Sequence, residues 1–113
     1  MSSTYDKGIK KELKAINYLK AQKYKILHHR YRSRYGEIDI IATKGDVVIA
    51  VEVKLRQSFF DARTCITRRQ MQRIEEGLLD FISKDIAYKN HSLRMDVILF
   101  VGNEQVHIEN AWV

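Results

Sequence analysis

The segment Val47–Lys54 (VVIAVEVK) is apolar at every position except Glu52 and Lys54. Continuous rather than alternating apolar character is the pattern of a strand covered on both faces. A chain with such a strand needs a sheet lying between other layers. Glu52 and Lys54 are two residues apart, so they share one face of that strand. Charges buried there are strongly unfavourable unless they are paired or hold a metal.

The preceding strand reads as Glu37–Thr43, within the stretch GEIDIIA at Gly36–Ala42, and Lys44-Gly45-Asp46 forms the turn between the two. With Gly45 and Asp46 as a two-residue loop, glycine in first place suits a type II′ turn. Lys44 then faces Val47, and the ladder runs Ala42 with Ile49, Ile40 with Val51, Asp39 with Glu52 and Glu37 with Lys54. On this count Asp39 and Glu52 lie opposite each other, their Cβ atoms about 5 Å apart. Two facing carboxylates repel unless a proton or a cation lies between them. Hard oxygen donors in that arrangement suit Mg²⁺ or Mn²⁺, with Lys54 beside the site. A plainer reading makes Glu37–Lys54 a cross-strand ion pair, but it leaves the two carboxylates opposed.

Around this hairpin, Ile9, Leu13, Ile16 and Leu19 fall at helical spacing between Lys7 and Gln22. Tyr24–Tyr31 reads as a strand, followed by a basic turn, Arg32-Ser33-Arg34-Tyr35-Gly36. Leu55–Arg63 reads as a loop. Thr67–Ser83 is a second helix with Ile74, Leu78, Phe81 and Ile82 on one face. Leu93–Val101 and Val106–Glu109 close the chain as strands around Gly102-Asn103. The order α-β-β-β-α-β-β defines an α/β fold class, a mixed β-sheet flanked by helices. The length of 113 residues and the absence of any linker-like tract make residues 1–113 one domain. No run approaches the roughly 18–20 apolar residues of a membrane helix, and the first residues lack the apolar centre of a signal peptide. With a single cysteine, Cys65, these features point to the cytoplasm and away from a membrane. A net charge of +6 and a pI near 9.5 suit a polyanionic partner, most commonly nucleic acid.

Asp39, a 12-residue gap and then Glu52-Val53-Lys54 resemble the signature of the PD-(D/E)XK nuclease superfamily. Three stretches are more specific: GEIDIIA, AVEVKLR at Ala50–Arg56 and RMDVI at Arg94–Ile98. Together with Gly8, Glu12, Ala15, Tyr18, Leu19 and the closing His107-Ile108-Glu109-Asn110-Ala111, they resemble the YraN family of small bacterial endonuclease-like proteins. The resemblance spans nearly the whole chain. It implies a restriction-endonuclease-like core and a Mg²⁺-dependent DNA endonuclease that hydrolyses phosphodiester bonds. Branched or otherwise structured DNA in repair or recombination is the implied target. In that scheme Asp39, Glu52 and the Val53 carbonyl hold the metal, which activates water. Lys54 orients the water and offsets charge at phosphorus. Gln70 completes the catalytic set, standing where the family usually carries lysine. Arg30 stands where asparagine is usual, and Leu55-Arg56 keep the basic ending of the motif. Glu12 lies within the apolar arc of the first helix. It reads either as a further metal ligand, direct or through water as in the similar Holliday-junction resolvases, or as a glutamate bonded to a nearby arginine.

Other residues carry two readings each. Thr67 and Gln70 form a capping-box pattern, and Gln70 may be only a cap or also reach phosphate or water. Glu37 reads as a partner of Lys54. His28, His29, Arg30, Tyr31, Arg32, Arg34 and Tyr35 interleave basic and aromatic side chains, which suits phosphate contacts with base stacking, or a solvated strand edge. Arg63, Arg68, Arg69 and Arg73 cluster at the start of the second helix, where backbone N–H groups also favour phosphate. The candidate nucleic-acid contacts are therefore Arg30, Arg32, Arg34, Tyr35, Arg56, Arg68 and Arg69. His28 and His29 point oppositely in a strand, Cys65 reads as packing, and Asp96 reads as a structural partner of an arginine. The alternative function is a non-catalytic nucleic-acid-binding module on the same fold. A monomer can nick, whereas a symmetric homodimer suits paired cuts at a junction.

Overall fold

In a computed structural model, which describes residues 4–59 and 66–111, the apolar strand lies at the middle of a five-stranded sheet. The elements are α1 (Thr4–Ala21), β1 (Lys25–Ser33), β2 (Gly36–Lys44), β3 (Val47–Arg56), α2 (Arg68–Ser83), a 3₁₀ turn (Ile86–Tyr88), β4 (Ser92–Val101) and β5 (Glu104–Ile108). Spatial order follows chain order, β1-β2-β3-β4-β5. All neighbours are antiparallel except β3 and β4, which run parallel. A parallel pair needs a long crossover, and the segment containing α2 supplies it. The mixed sheet with helices in the order α-β-β-β-α-β-β agrees with the fold class read from the sequence.

Val48 through Val53 are all buried, because each face of β3 meets a different helix. Ile49, Val51 and Val53 pack with Ala15, Ile16 and Leu19 of α1. Val48 and Ala50 pack with Ile74 and Leu78 of α2. A fully buried aliphatic side chain contributes about 1.5–3 kcal/mol, so this central strand anchors both layers. On the α2 side, a Cβ at Gly77 would come within 3.2 Å of Ile38 Cδ1, so the missing side chain sets how closely α2 approaches β2.

Several boundaries differ from the sequence reading. β1 continues to Ser33, which pairs with Gly36, so only Arg34 and Tyr35 form the loop and Arg32 is in the strand. β3 runs on to Arg56, within the stretch expected to be loop. β5 begins at Glu104 and ends at Ile108. The 3₁₀ turn, capped by Asp85 on the Ala87 N–H, had no sequence counterpart. On α1 the buried stripe is Glu12, Ala15, Ile16 and Leu19, while Leu13 is 48% exposed. The periodicity reading put Leu13 inside because it weighted apolar positions alone, and a buried glutamate shifted the true stripe by one residue. Cys65 and Arg63 lie outside the described residues.

Asp96 on β4 is wholly buried and ties the C-terminal strands to the rest. Its carboxylate accepts bonds from Arg94 (2.9 and 2.8 Å), His107 Nε2 (2.8 Å) and the Asn110 N–H (2.9 Å). Tyr18 of α1 is bonded to His107 Nδ1 at 2.9 Å, and Arg94 donates to the Tyr24 hydroxyl. Burial alone would raise the Asp96 carboxyl, but His107, Arg94 and the Asn110 N–H outweigh it and hold the group below the usual range. The structural role read for Asp96 therefore has a specific arginine partner. Among the described residues no helix is long and apolar enough to cross a membrane. Asp96→Ala strands buried donors on three sides and should cost about 3–5 kcal/mol in urea denaturation, with secondary structure content retained at low denaturant.

Candidate active site

The hairpin count holds from Lys44–Val47 through Ile40–Val51, with Gly45 at φ 61° in the first loop position as a type II′ turn requires. Beyond Ile40–Val51, side chains take over the cross-strand bonding. Asp39 Oδ2 accepts the Val53 N–H at 2.8 Å, and Glu52 Oε1 accepts the Asp39 N–H at 3.3 Å. The two carboxylates thus stand where backbone carbonyls would be in a regular ladder. On the other side of β2, the register passes from His29–Ile40 to Tyr31–Ile38, stepping over Arg30 and Asp39. Arg30 is in the left-handed region at φ 59°. Ile38 packs toward α2 and Ile40 toward α1, although they are two apart, so β2 reverses its facing at Asp39. One level of the sheet, Arg30–Asp39–Glu52, is therefore irregular across three strands. Non-glycine left-handed residues and broken registers concentrate at functional sites.

The electrostatics of this level follow from burial. Glu52 is 6% exposed, and its carboxyl is pushed well above the ordinary range by burial and then by the charge of Asp39, with Lys54 opposing. Burial also raises the Asp39 carboxyl, and the charge of Glu12 adds to the shift. The Val53 N–H and Lys54 oppose it. The two side chains are hydrogen-bonded to one another, which requires a proton between them. Glu12 itself is engaged elsewhere. His29 Nε2 lies 2.8 Å from its Oε1, and Arg30 binds both oxygens, Nε at 3.0 Å and Nη2 at 3.0 Å. Among the described residues no three His, Cys, Asp or Glu side chains are grouped to hold a metal ion. Of the two readings of Glu12, the arginine-bonded one is what the contacts show.

On the α2 side a pocket of about 170 Å³ is lined by Glu52, Lys54, Gln70, Arg73, Tyr35 and Glu37, with Ile38, Ile66 and Ile74 as its apolar floor. It brings together three of the four candidate catalytic side chains. Asp39 adjoins it through Glu52 rather than lining it. Gln70 closes a capping box with Thr67 (Thr67 N–H to Oε1 2.8 Å, Gln70 N–H to Thr67 Oγ1 3.1 Å) while also forming part of the pocket wall. Arg73, one helical turn beyond Gln70, is the wall residue outside the candidate site set, although the i, i+3 spacing from Gln70 places both on one face. Glu37 bonds Arg32 at 2.9 Å, which corrects its reading as a partner of Lys54.

The expected nucleic-acid contacts divide. Arg34 and Tyr35 form the β1–β2 loop beside the pocket, with Arg34 Nη2 donating to the Tyr35 hydroxyl at 2.8 Å. Arg68 and Arg69 are exposed at the start of α2. Arg56 donates to the Leu55 carbonyl at the end of β3. Arg32 and Arg30 are engaged by Glu37 and Glu12. His28 and His29 do point oppositely: His28 meets Tyr31 and Phe81 on the α2 side, and His29 meets Glu12. That His29 and Arg30, adjacent in a strand, reach the same glutamate is a consequence of the left-handed Arg30, which period-two reasoning does not anticipate.

A raised folded-state pKa means the protonated form is favoured by folding. The contribution of Glu52 to stability is therefore complete below the unfolded value near pH 4.3 and is lost as pH rises through the folded value. Glu52→Gln, measured without divalent ions, should melt above the parent at pH 7–8, with the difference closing toward pH 4. A variant that melts lower at every pH would show that Glu52 stabilises the ionised site.

Sequence comparison supplies the family. The profile described as "Uncharacterised protein family UPF0102" matches residues 11–100. A UPF0102 protein of Sulfurihydrogenibium sp. (strain YO3AOP1) is 41% identical over 103 residues, covering 89% of this chain and 89% of that protein. A UPF0102 protein of Mesorhizobium japonicum is 38% identical over 109 residues, covering 96% of this chain and 87% of its own length. The matched region takes in β1 to β3 and α2, including Glu12, Asp39, Glu52, Lys54 and Gln70. The chain belongs to the UPF0102 family.

Proposed function

We propose that this protein is a metal-dependent DNA endonuclease of the PD-(D/E)XK type, acting on branched or otherwise structured DNA. The observation that carries the reading is the buried Asp39–Glu52 pair, held together by a proton beside Lys54 at the wall of a polar pocket. The donor chemistry fits a hard divalent cation, since two adjacent carboxylates that retain a proton are the arrangement a cation relieves. Asp39 and Glu52, with the Val53 carbonyl, would hold Mg²⁺ or Mn²⁺. When bound, such an ion supplies Lewis acidity to the phosphoryl group and to water.

The chain's own residues account for the rest. Lys54, on the pocket wall, orients the attacking water and offsets negative charge developing at phosphorus. Arg73 grips a phosphate oxygen from α2, while the Gln70 amide can donate because its carbonyl oxygen serves the cap. Arg34 and Tyr35 flank the pocket, where a guanidinium and an aromatic ring suit backbone phosphate and an unstacked base. The cytoplasm, where DNA and Mg²⁺ are available, is the proposed location.

Cleavage of supercoiled plasmid and of four-way junction DNA in Mg²⁺ or Mn²⁺ tests the proposal. Asp39→Ala and Lys54→Ala should each lower the rate by roughly 10²–10³-fold, and cleavage that survives both changes would refute the assignment. Gln70→Glu keeps the capping box and should leave the melting temperature near that of the parent. It should slow cleavage by about tenfold, within the usual range for removing a donor.

A second reading rests on a separate observation, the engagement of Glu12 by Arg30 and the absence of a three-carboxylate group among the described residues. On that reading the fold binds nucleic acid without turning it over. Mn²⁺ binding together with salt-sensitive DNA affinity, but no cleavage of any DNA form, would favour it.

A further inference from the structure

Three carboxylates lie near one another where the sheet meets α1: Glu12, Asp39 and Glu52. The charge of Glu12 is felt at Asp39, and Asp39 is hydrogen-bonded to Glu52. Two-metal sites arise from such carboxylate groups when every member is available for coordination. Here one member is committed. The Arg30 guanidinium grips Glu12 through both carboxylate oxygens, and His29 adds a third contact at Oε1. The glutamate is 6% exposed, so the interaction is shielded from water and from salt. The bidentate geometry is the strongest form of this pairing. Arg30 also lies opposite Asp39 in the β1–β2 register, in a left-handed conformation that an L-residue adopts only at a cost. That conformation turns Arg30 to the same side of the sheet as His29, toward Glu12.

We propose that Arg30 is a resident cation that keeps Glu12 out of metal coordination, so that the Asp39–Glu52 pair takes a single divalent ion. The proposal rests on the reading of Asp39 and Glu52 as metal ligands. Its basis is geometric: a cation reaching Glu12 would have to displace the guanidinium from both oxygens and then sit beside its positive charge. Arg30 is thus a positioning residue, fixing the charge and number of ions at the site rather than touching the substrate. Its place beside Asp39 also means that the acidic cluster carries a compensating positive charge before any metal arrives.

The test is Mn²⁺ titration calorimetry on the metal-free full-length chain, together with anomalous scattering from Mn²⁺-soaked crystals. The parent should bind one ion per chain, contacting Asp39 and Glu52 but not Glu12. Glu12→Gln should keep that ion, with affinity lowered by no more than about tenfold, the lower end of what removing an outer partner does. Arg30→Asn suits the backbone, because asparagine tolerates the left-handed region better than most residues. It should bring Glu12 into coordination, seen as a second ion or as a tenfold or greater gain in affinity. Two ions in the parent, direct contact of Glu12 with the ion, loss of the ion in a folded Glu12→Gln, or unchanged binding in Arg30→Asn would each overturn the proposal. If Arg30→Asn does not fold, the crystals of the parent and the Glu12→Gln titration decide it alone. A parent that binds no Mn²⁺ would overturn the metal reading of Asp39 and Glu52 as well, which separates that failure from the others.

Discussion

Strands β1, β2 and β3 are joined by backbone hydrogen bonds except at one level, where side chains do the bonding. Asp39 takes the Val53 N–H, Glu52 takes the Asp39 N–H, and the β1–β2 register passes over Arg30 and Asp39. Backbone N–H groups inside a protein must find acceptors, so a carboxylate that replaces a carbonyl is locked in position by the sheet itself. The same substitution explains the reversal of facing along β2. Ile38 is directed to α2 and Ile40 to α1 because a regular pleat cannot continue through a residue whose side chain has entered the ladder. The positions of both helices on the sheet therefore depend on this one level.

Polar interiors need closed accounts of donors and acceptors, and the chain contains two such groups on the α1 side. One joins Glu12, His29 and Arg30. The other joins Asp96, Arg94, His107, Tyr18 and Tyr24 at the far strands. Among the described residues, no buried side-chain nitrogen or oxygen lacks a partner. The contrast between the two ends is in their charge balance. Asp96 is matched by a full positive charge and held ionised, whereas Asp39 and Glu52 crowd negative charge with only Lys54 against them.

The hydrophobic continuity of Val47–Lys54 was enough to indicate a sheet covered on both sides, because only burial on two faces tolerates such a strand. The glycine-first loop fixed the β2–β3 register as far as Ile40–Val51, since side-chain period and loop length determine pairing. What stayed hidden was every effect of a side chain acting on backbone. Nothing in the order of residues announces that Arg30 is left-handed, that His29 and Arg30 reach the same glutamate, or that Glu12 displaces Leu13 from the buried stripe. The pocket was legible only in part: Glu52, Lys54 and Gln70 stood out by chemistry. Arg73 and Tyr35 join them because α2 settles against Gly77 and Ile38, a contact between distant segments.

The β2–β3 hairpin, closed by Gly45 and Asp46, is the most local pairing in the sheet, while the parallel β3–β4 pair must wait for the crossover that includes α2. Local contacts form early in folding and long loops close late. Asp39 and Glu52 are thus brought face to face on a solvated hairpin, where water still screens their repulsion. Only when α2 and β4 dock is that water removed, and the cost of crowding two carboxylates falls on the last steps of assembly. A site of this kind is tuned by the order in which its walls arrive as well as by its final contacts.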